Sequence, residues 1–159
     1  MTSKIKRSLV LTYIDITPLS PTYALLGDGI VAGKIAYNPK TTKETYISED
    51  NATVSVDSYA PHMPIECTCK LTDPAFEYID TMRIARAIGA AAVTDVVNVW
   101  NYKAGGPTAA PAEKQPVSIQ IDDFGGEGGS MAKINFTINY MGAPVPGTFN
   151  TSTKVFTPS

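Results

Sequence analysis

Val117-Ser118-Ile119-Gln120-Ile121 and Ile134-Asn135-Phe136-Thr137-Ile138-Asn139-Tyr140 each alternate apolar and polar residues. Between them runs Asp122-Asp123-Phe124-Gly125-Gly126-Glu127-Gly128-Gly129-Ser130, a loop of acids and glycines. Period-two alternation places one set of side chains on a buried face and the other on a wet face. Glycines supply the positive φ angles that a reversing chain needs. The stretch therefore reads as a two-sided β-hairpin, and none of its residues suggests catalysis. It builds a surface.

The same period recurs upstream. Strands are expected over Ile30–Tyr37, over Ala52–Ser58 and through Ile65-Glu66-Cys67-Thr68-Cys69-Lys70-Leu71, with a further strand from Thr94 to Tyr102. In this last one apolar residues fall on both faces, so both are expected to be covered. Asn38-Pro39 breaks the first strand, and the connection 39–59 is long for a hairpin loop. One helix is expected over 73–89: Asp73 suits the N-cap, Pro74 the first turn and Gly89 the exit. Phe76, Ile79, Met82, Ala85 and Ile88 recur every three residues along it. Lys103–Gln115 is rich in Gly, Pro and Ala, and 103–111 reads as a flexible loop. The tail 148–159 carries Phe149, Val155 and Phe156 among Thr and Ser, too short to fold alone, so these residues must pack on this domain or on another copy.

The expected fold is mainly β in a single domain, 1–159: two packed antiparallel sheets, a β-sandwich or half-barrel, with one flanking helix and long loop and terminal arms. Charged residues make up 18% of the 159 residues, below the roughly 25% typical of soluble proteins. Such a pale exterior suits a protein that covers itself with its own copies, because interface cores are poor in charge. The net charge of −2 argues against a nucleic-acid binder, which carries a basic face. No run approaches the ~18 apolar residues of a membrane span. Ser8–Ile14 follows basic residues but is cut by Asp15, which makes a poor export signal.

The chemistry-bearing residues are few. His62 is the only histidine, and no neighbouring acid is placed to orient it as a base. Gly27-Asp28-Gly29-Ile30-Val31-Ala32-Gly33 resembles a nucleotide-binding loop only loosely, with its third glycine one place late and a strand where a helix belongs. Asp122, Asp123 and Glu127 lack any recognised calcium spacing. Cys67 and Cys69 share a strand face about 7 Å apart, at the limit of disulfide reach, and no second ligand pair makes a zinc site. No cofactor, metal or catalytic set is expected. Trp100 and the eight tyrosines leave one rival, a carbohydrate-binding β-sandwich or adhesin module, although packing is the ordinary use of such rings.

Four stretches carry a resemblance: Ile35–Thr42, Glu44–Ala52, Tyr59–Glu66, and Ala112–Gly126 running on to Gly147-Thr148-Phe149-Asn150. In order and spacing they resemble the major tail protein, or tail tube protein, of long-tailed bacteriophages, most nearly that of non-contractile tails of phages on Gram-positive hosts. The resemblance implies two packed antiparallel sheets with a flanking helix, six copies per ring, and rings stacked into a hollow tube. It implies a virion protein assembled in the host cytoplasm, with tape-measure, tail terminator and baseplate or tail-tip proteins as partners. Viral DNA would pass through the tube without specific binding. A tube protein of a related secretion system fits the same features.

The family has no enzymatic residues to carry over, so the working parts implied are assembly surfaces. The inter-strand loop would clamp a neighbour through Thr42, Glu44, Tyr46, Glu49, Asp50 and Asn51, and a C-terminal arm through Phe149, Val155 and Phe156. The strands near Ile35, Val54, Cys67, Val117 and Phe136 are expected to supply both sheets. Glu66 and Asp122, on polar strand faces, are the candidate lumen wall, because a wall without excess cations does not hold phosphates. Lys34, Lys70 and Lys133 also sit on polar faces and bear against that assignment.

Overall fold

The computed structural model describes residues 2–17 and 20–159. In chain order its elements are β1 (Val10–Asp15), β2 (Tyr23–Leu25), β3 (Ile30–Gly33), β4 (Lys40–Glu44), β5 (Thr53–Ser58), β6 (His62–Thr68), α1 (Pro74–Ala85), β7 (Val93–Trp100), β8 (Ala110–Gly125), β9 (Lys133–Tyr140), β10 (Val145–Asn150) and β11 (Val155–Pro158). Among the described residues nine strands form one antiparallel sheet in the order β2-β1-β7-β8-β9-β6-β3, with β10 branching from β8 and β11 pairing β10. A separate two-stranded sheet consists of β4 and β5. The fold is thus mainly β and antiparallel with one flanking α-helix. Its layering comes from one sheet curled over itself, and the strand around Val54 lies outside that sheet.

The decisive hairpin forms as its alternation dictates. β8 and β9 pair from Val117↔Tyr140 to Gly125↔Lys133, with a bulge between Ile121 and Asp123. β8 is longer than the alternation alone indicates, because the end of the expected linker, Ala110–Gln115, belongs to its first half. Pro111 and Pro116 hide this, since proline removes a ladder donor. On one side β8 holds β7, and on the other it holds β10 over Ala110–Lys114 and β9 from Val117 onward. Pro116 sits in the gap between those two partners. Its carbonyl accepts from the Met141 N–H at 2.9 Å, and the donor it lacks falls where no strand needs one.

Two cores lie on opposite faces of the sheet. One gathers Ile14, Ile65, Cys67, Val96, Val117, Ile119, Ile134, Phe136 and Ile138 beneath α1, which contributes Ala75, Ile79 and Met82. The other gathers Tyr13, Tyr23, Val97, Val99, Ala110, Ala112 and Phe149. Neighbours such as Tyr13 and Ile14, or Val96 and Val97, therefore point into different cores, which is why β1 and β7 read as apolar on both faces.

The helix is three residues shorter at its C-terminal end than the spacing to Gly89 implies. Asp73 caps it by accepting from the Ala75 N–H at 3.2 Å. Arg86, in the left-handed region at φ 49°, ends it. Gly89 instead opens a short 3-10 turn, Gly89–Ala92. Ile88 is consequently off the helix and exposed, so the buried stripe is Ala75, Ile79 and Met82.

Candidate assembly surfaces

The β6, β8 and β9 strands present a polar face opposite the helix-covered core. Their registers align Ser118, Asn139 and His62 in one row, then Gln120, Thr137 and Pro64, then Asp123, Asn135 and Glu66. The bulge lets Asp122 join this face, where its carboxylate accepts from the Thr137 hydroxyl at 2.8 Å and from the Gln120 amide at 2.6 Å. Asp123 accepts from Asn135 at 2.8 Å, and Lys133 pairs with Glu66 at 2.7 Å. Glu66 on β6 and Asp122 on β8 lie on one face of the sheet, with β9 between them. Lys133 is neutralised there, and Lys70 is paired with Asp28 at 2.6 Å. The net charge of the aligned rows is acidic.

The connection 39–59 is a structured hairpin where sequence suggested a loop followed by a body strand. β4 and β5 pair from Lys40↔Ser58 to Glu44↔Thr53. Thr42 is half-buried and every other residue in the two strands is exposed. Register puts Val54 and Val56 on one face with Thr41 and Lys43. The other face is polar: the Thr42 hydroxyl donates to Asp57, and Ser55 does so at 3.2 Å. At the tip, Tyr46 donates to Glu44 at 3.0 Å, and Glu49, Asp50 and Asn51 are exposed. The hairpin is anchored at its root by Ala36 and His62, which exchange backbone hydrogen bonds, and by Asn38, whose amide donates to the Ala60 carbonyl at 3.0 Å. Asn38 also contacts the His62 ring, and among the described residues no acid hydrogen-bonds or pairs with it.

The tail 148–159 is a second hairpin, with Phe149↔Phe156 in register. It packs on its own domain through Phe149, one of the two placements the sequence left open. Phe149 is fully buried, 4.5 Å from the Tyr13 ring and 5.8 Å from Tyr23. The turn of chain over β10 requires glycine at 147: a Cβ there would stand 2.3 Å from the Thr157 carbonyl oxygen. Of the three arm residues, Val155 stays exposed and Phe156 is half-buried.

A cleft of about 780 Å³ opens on the helix-side face of the sheet, beyond the end of the core. Tyr37, Tyr59, Trp100 and Tyr102 wall it, and Glu113 and Gln115 rise from its floor. The Gln115 amide is spent on the Met141 and Gly142 carbonyls. Burial pushes the Glu113 carboxyl above the usual carboxylate range, with Lys103 acting against this. Sequence reasoning had noticed Trp100 without Glu113, because the linker reading hid the strand that carries Glu113.

Other chemistry is subdued. Burial raises the Cys67 thiol to about 11, the acids nearby adding to it, so it is not a thiolate near neutrality. Among the described residues no group of three or more His, Cys, Asp or Glu is placed to hold a metal ion, and no helix is long and apolar enough to cross a membrane.

No protein-family model matches the chain, and the comparison with curated proteins finds no significant match. Solved structures do match. The chain is similar to one from the tail of an empty GTA (gene transfer agent) particle, refined helically with C6 symmetry. The TM-score is 0.65 at 14% identity, over 89% of this chain and 97% of that one. The class that this defines is one of fold, a curled antiparallel β-sheet with a flanking helix, shared with that tail chain. At that identity the likeness is one of architecture, and it extends over nearly the whole of both chains.

Proposed function

We propose that the chain is a tail-tube subunit, six copies closing a ring and rings stacking into the hollow conduit of a phage or phage-like tail. The observation that carries this reading is the near end-to-end structural likeness to a chain from a C6-symmetric tail. Two features of the chain support it independently. An amphipathic hairpin stands off the body with its valines uncovered, and an isolated two-stranded hairpin is marginal in water, so a neighbouring copy is its natural support. Open sheet edges at β2 and β3 are ready to accept strands from other copies. A head-to-tail contact whose rotation closes makes a ring.

In this reading the β6-β9-β8 polar face lines the lumen, with Glu66 and Asp122 in the wall. Its carboxylates repel phosphates and leave no unpaired cation among the rows to retain passing DNA. The β4–β5 hairpin clamps the next copy. Tape-measure, terminator and tail-tip proteins would be further partners, the site of action the virion tail and the site of assembly the host cytoplasm. The finer likeness to non-contractile tails of phages on Gram-positive hosts rests on the four sequence stretches alone. Negative-stain microscopy of the purified protein tests the reading: rings or tubes are expected, with a tail tip supplied as seed if needed. Compact single particles at high concentration, seeded or not, would contradict it.

The aromatic cleft favours one other reading, a glycan-binding module, since sugars stack on tyrosine and tryptophan faces beside a carboxylate. It calls for a monomer that binds a neutral oligosaccharide and loses it on Trp100→Ala.

A further inference from the structure

The helix-side face of the sheet carries two incomplete surfaces at opposite ends of β8. Near its start is the aromatic cleft. Among the described residues Glu113 has no hydrogen-bond or ion-pair partner, and Lys103, at the rim, forms no ion pair with it within 4 Å. Tyr37, Tyr59 and Tyr102 are 50%, 61% and 41% exposed. Near the other end of β8 is the C-terminal end of α1, beside Ile119, Ile121 and Phe124. There Ile84 and Ile88 are 63% and 84% exposed. Arg86 stands exposed beside them, and its guanidinium has no partner among the described residues. Asp123, which borders the same groove, already accepts from Asn135. The other helix arginine, Arg83, is engaged twice, paired with Asp80 at 2.7 Å and lying 3.9 Å over the Phe124 ring.

We infer that the helix end of one copy docks in the aromatic cleft of another, with Arg86 entering between the tyrosines to meet Glu113 and with Ile84 and Ile88 covering the rim. This deepens the tail-tube reading and rests on it. The chemistry of the two surfaces is complementary. A guanidinium stacks on aromatic faces and offers a carboxylate two parallel donors, which an ammonium cannot do. The tyrosine faces and the isoleucines are apolar on both sides of the contact. The geometry is heterologous, because the two patches are different surfaces of the same chain. Glu113 and Phe124 stand eleven positions apart on β8, about 36 Å at ~3.3 Å per residue, so the two patches are distinct surfaces. Contacts of this kind propagate from copy to copy and make rings or filaments, whereas a self-complementary patch makes only a closed dimer.

A charge-swap cycle tests this on the full-length protein. R86E and E113R are each expected to raise the protein concentration needed for assembly by about tenfold or more, since a pair buried at an interface is costly to break. The R86E/E113R double variant is expected to return to within about threefold of wild type. Melting curves of the three variants should match wild type, because both side chains are unpartnered in the isolated copy. Single variants that assemble normally would overturn the inference, as would a double variant no better than the worse single. Assembly left unchanged by a neutral oligosaccharide bound at Trp100 would also overturn it, because the cleft would then not be the docking site. Wild-type protein that never assembles would bring down the tail-tube reading and this contact together, whereas tubes indifferent to both charges would bring down the contact alone.

Discussion

Two hairpins of this protein begin alike and end differently. β4–β5 and β10–β11 are each short, rich in Thr and Ser, and joined to the body by a few residues. The second pairs its inner strand with β8 and drives Phe149 into a pocket between Tyr13 and Tyr23. Among the described residues the first pairs with no strand outside itself. The difference is one of side chains. A buried aromatic ring removes enough apolar surface from water to hold a strand down, whereas Val54 and Val56, 60% and 53% exposed, find nothing on their own domain to cover them. The first hairpin is available for assembly because the fold does not use it.

Removing each hairpin's contribution should therefore give opposite results. Deletion of Thr42–Asn51 is expected to abolish tube formation while leaving the melting temperature of the monomer near wild type. Normal tubes from the deletion would end the clamp assignment. Phe149→Ala should do the reverse and destabilise the isolated domain by about 3–5 kcal/mol, read by chemical denaturation. A loss under ~1 kcal/mol would mean that the tail does not hold the second core.

Alkaline pH separates body from hairpin again. Burial raises Tyr140, with the Asn98 hydrogen bond opposing, and burial with Asp15 and Asp95 raises Tyr23, each from 10.0 to about 12. Both bind a proton more tightly folded than unfolded, so stability is full below pH 10 and falls between about pH 10 and 12. Tyr140→Phe should flatten part of that fall. The smallest effect concerns the exposed valines: Val54→Thr with Val56→Thr should change monomer stability by less than ~0.5 kcal/mol yet weaken assembly measurably by sedimentation.

The contrast also explains what could be read in advance. The β8–β9 hairpin, the cysteine strand and the helix start were legible because alternation and capping are local. The same alternation put Glu66 and Asp122 on the polar faces of their own strands, whereas that these faces adjoin across β9 depends on a register that no local pattern gives. The first half of β8 was not legible, because prolines normally exclude a strand and the gap that tolerates Pro116 exists only in three dimensions. With it went Glu113 and the cleft. β1 is ambiguous in sequence, because Val10-Leu11-Thr12-Tyr13-Ile14 is rich in strand formers but follows basic residues as the apolar part of an export signal does. The fate of the two hairpins depends on distant partners such as Tyr13 and Tyr23, which no local pattern announces.

The most direct measurement is a cryo-EM map of the assembled protein. It should show the β4–β5 hairpin of each copy seated on a neighbour, its valines covered, and Glu66 and Asp122 facing an open central channel. Hairpins standing free in solvent around a channel lined by some other face of the sheet would contradict the account.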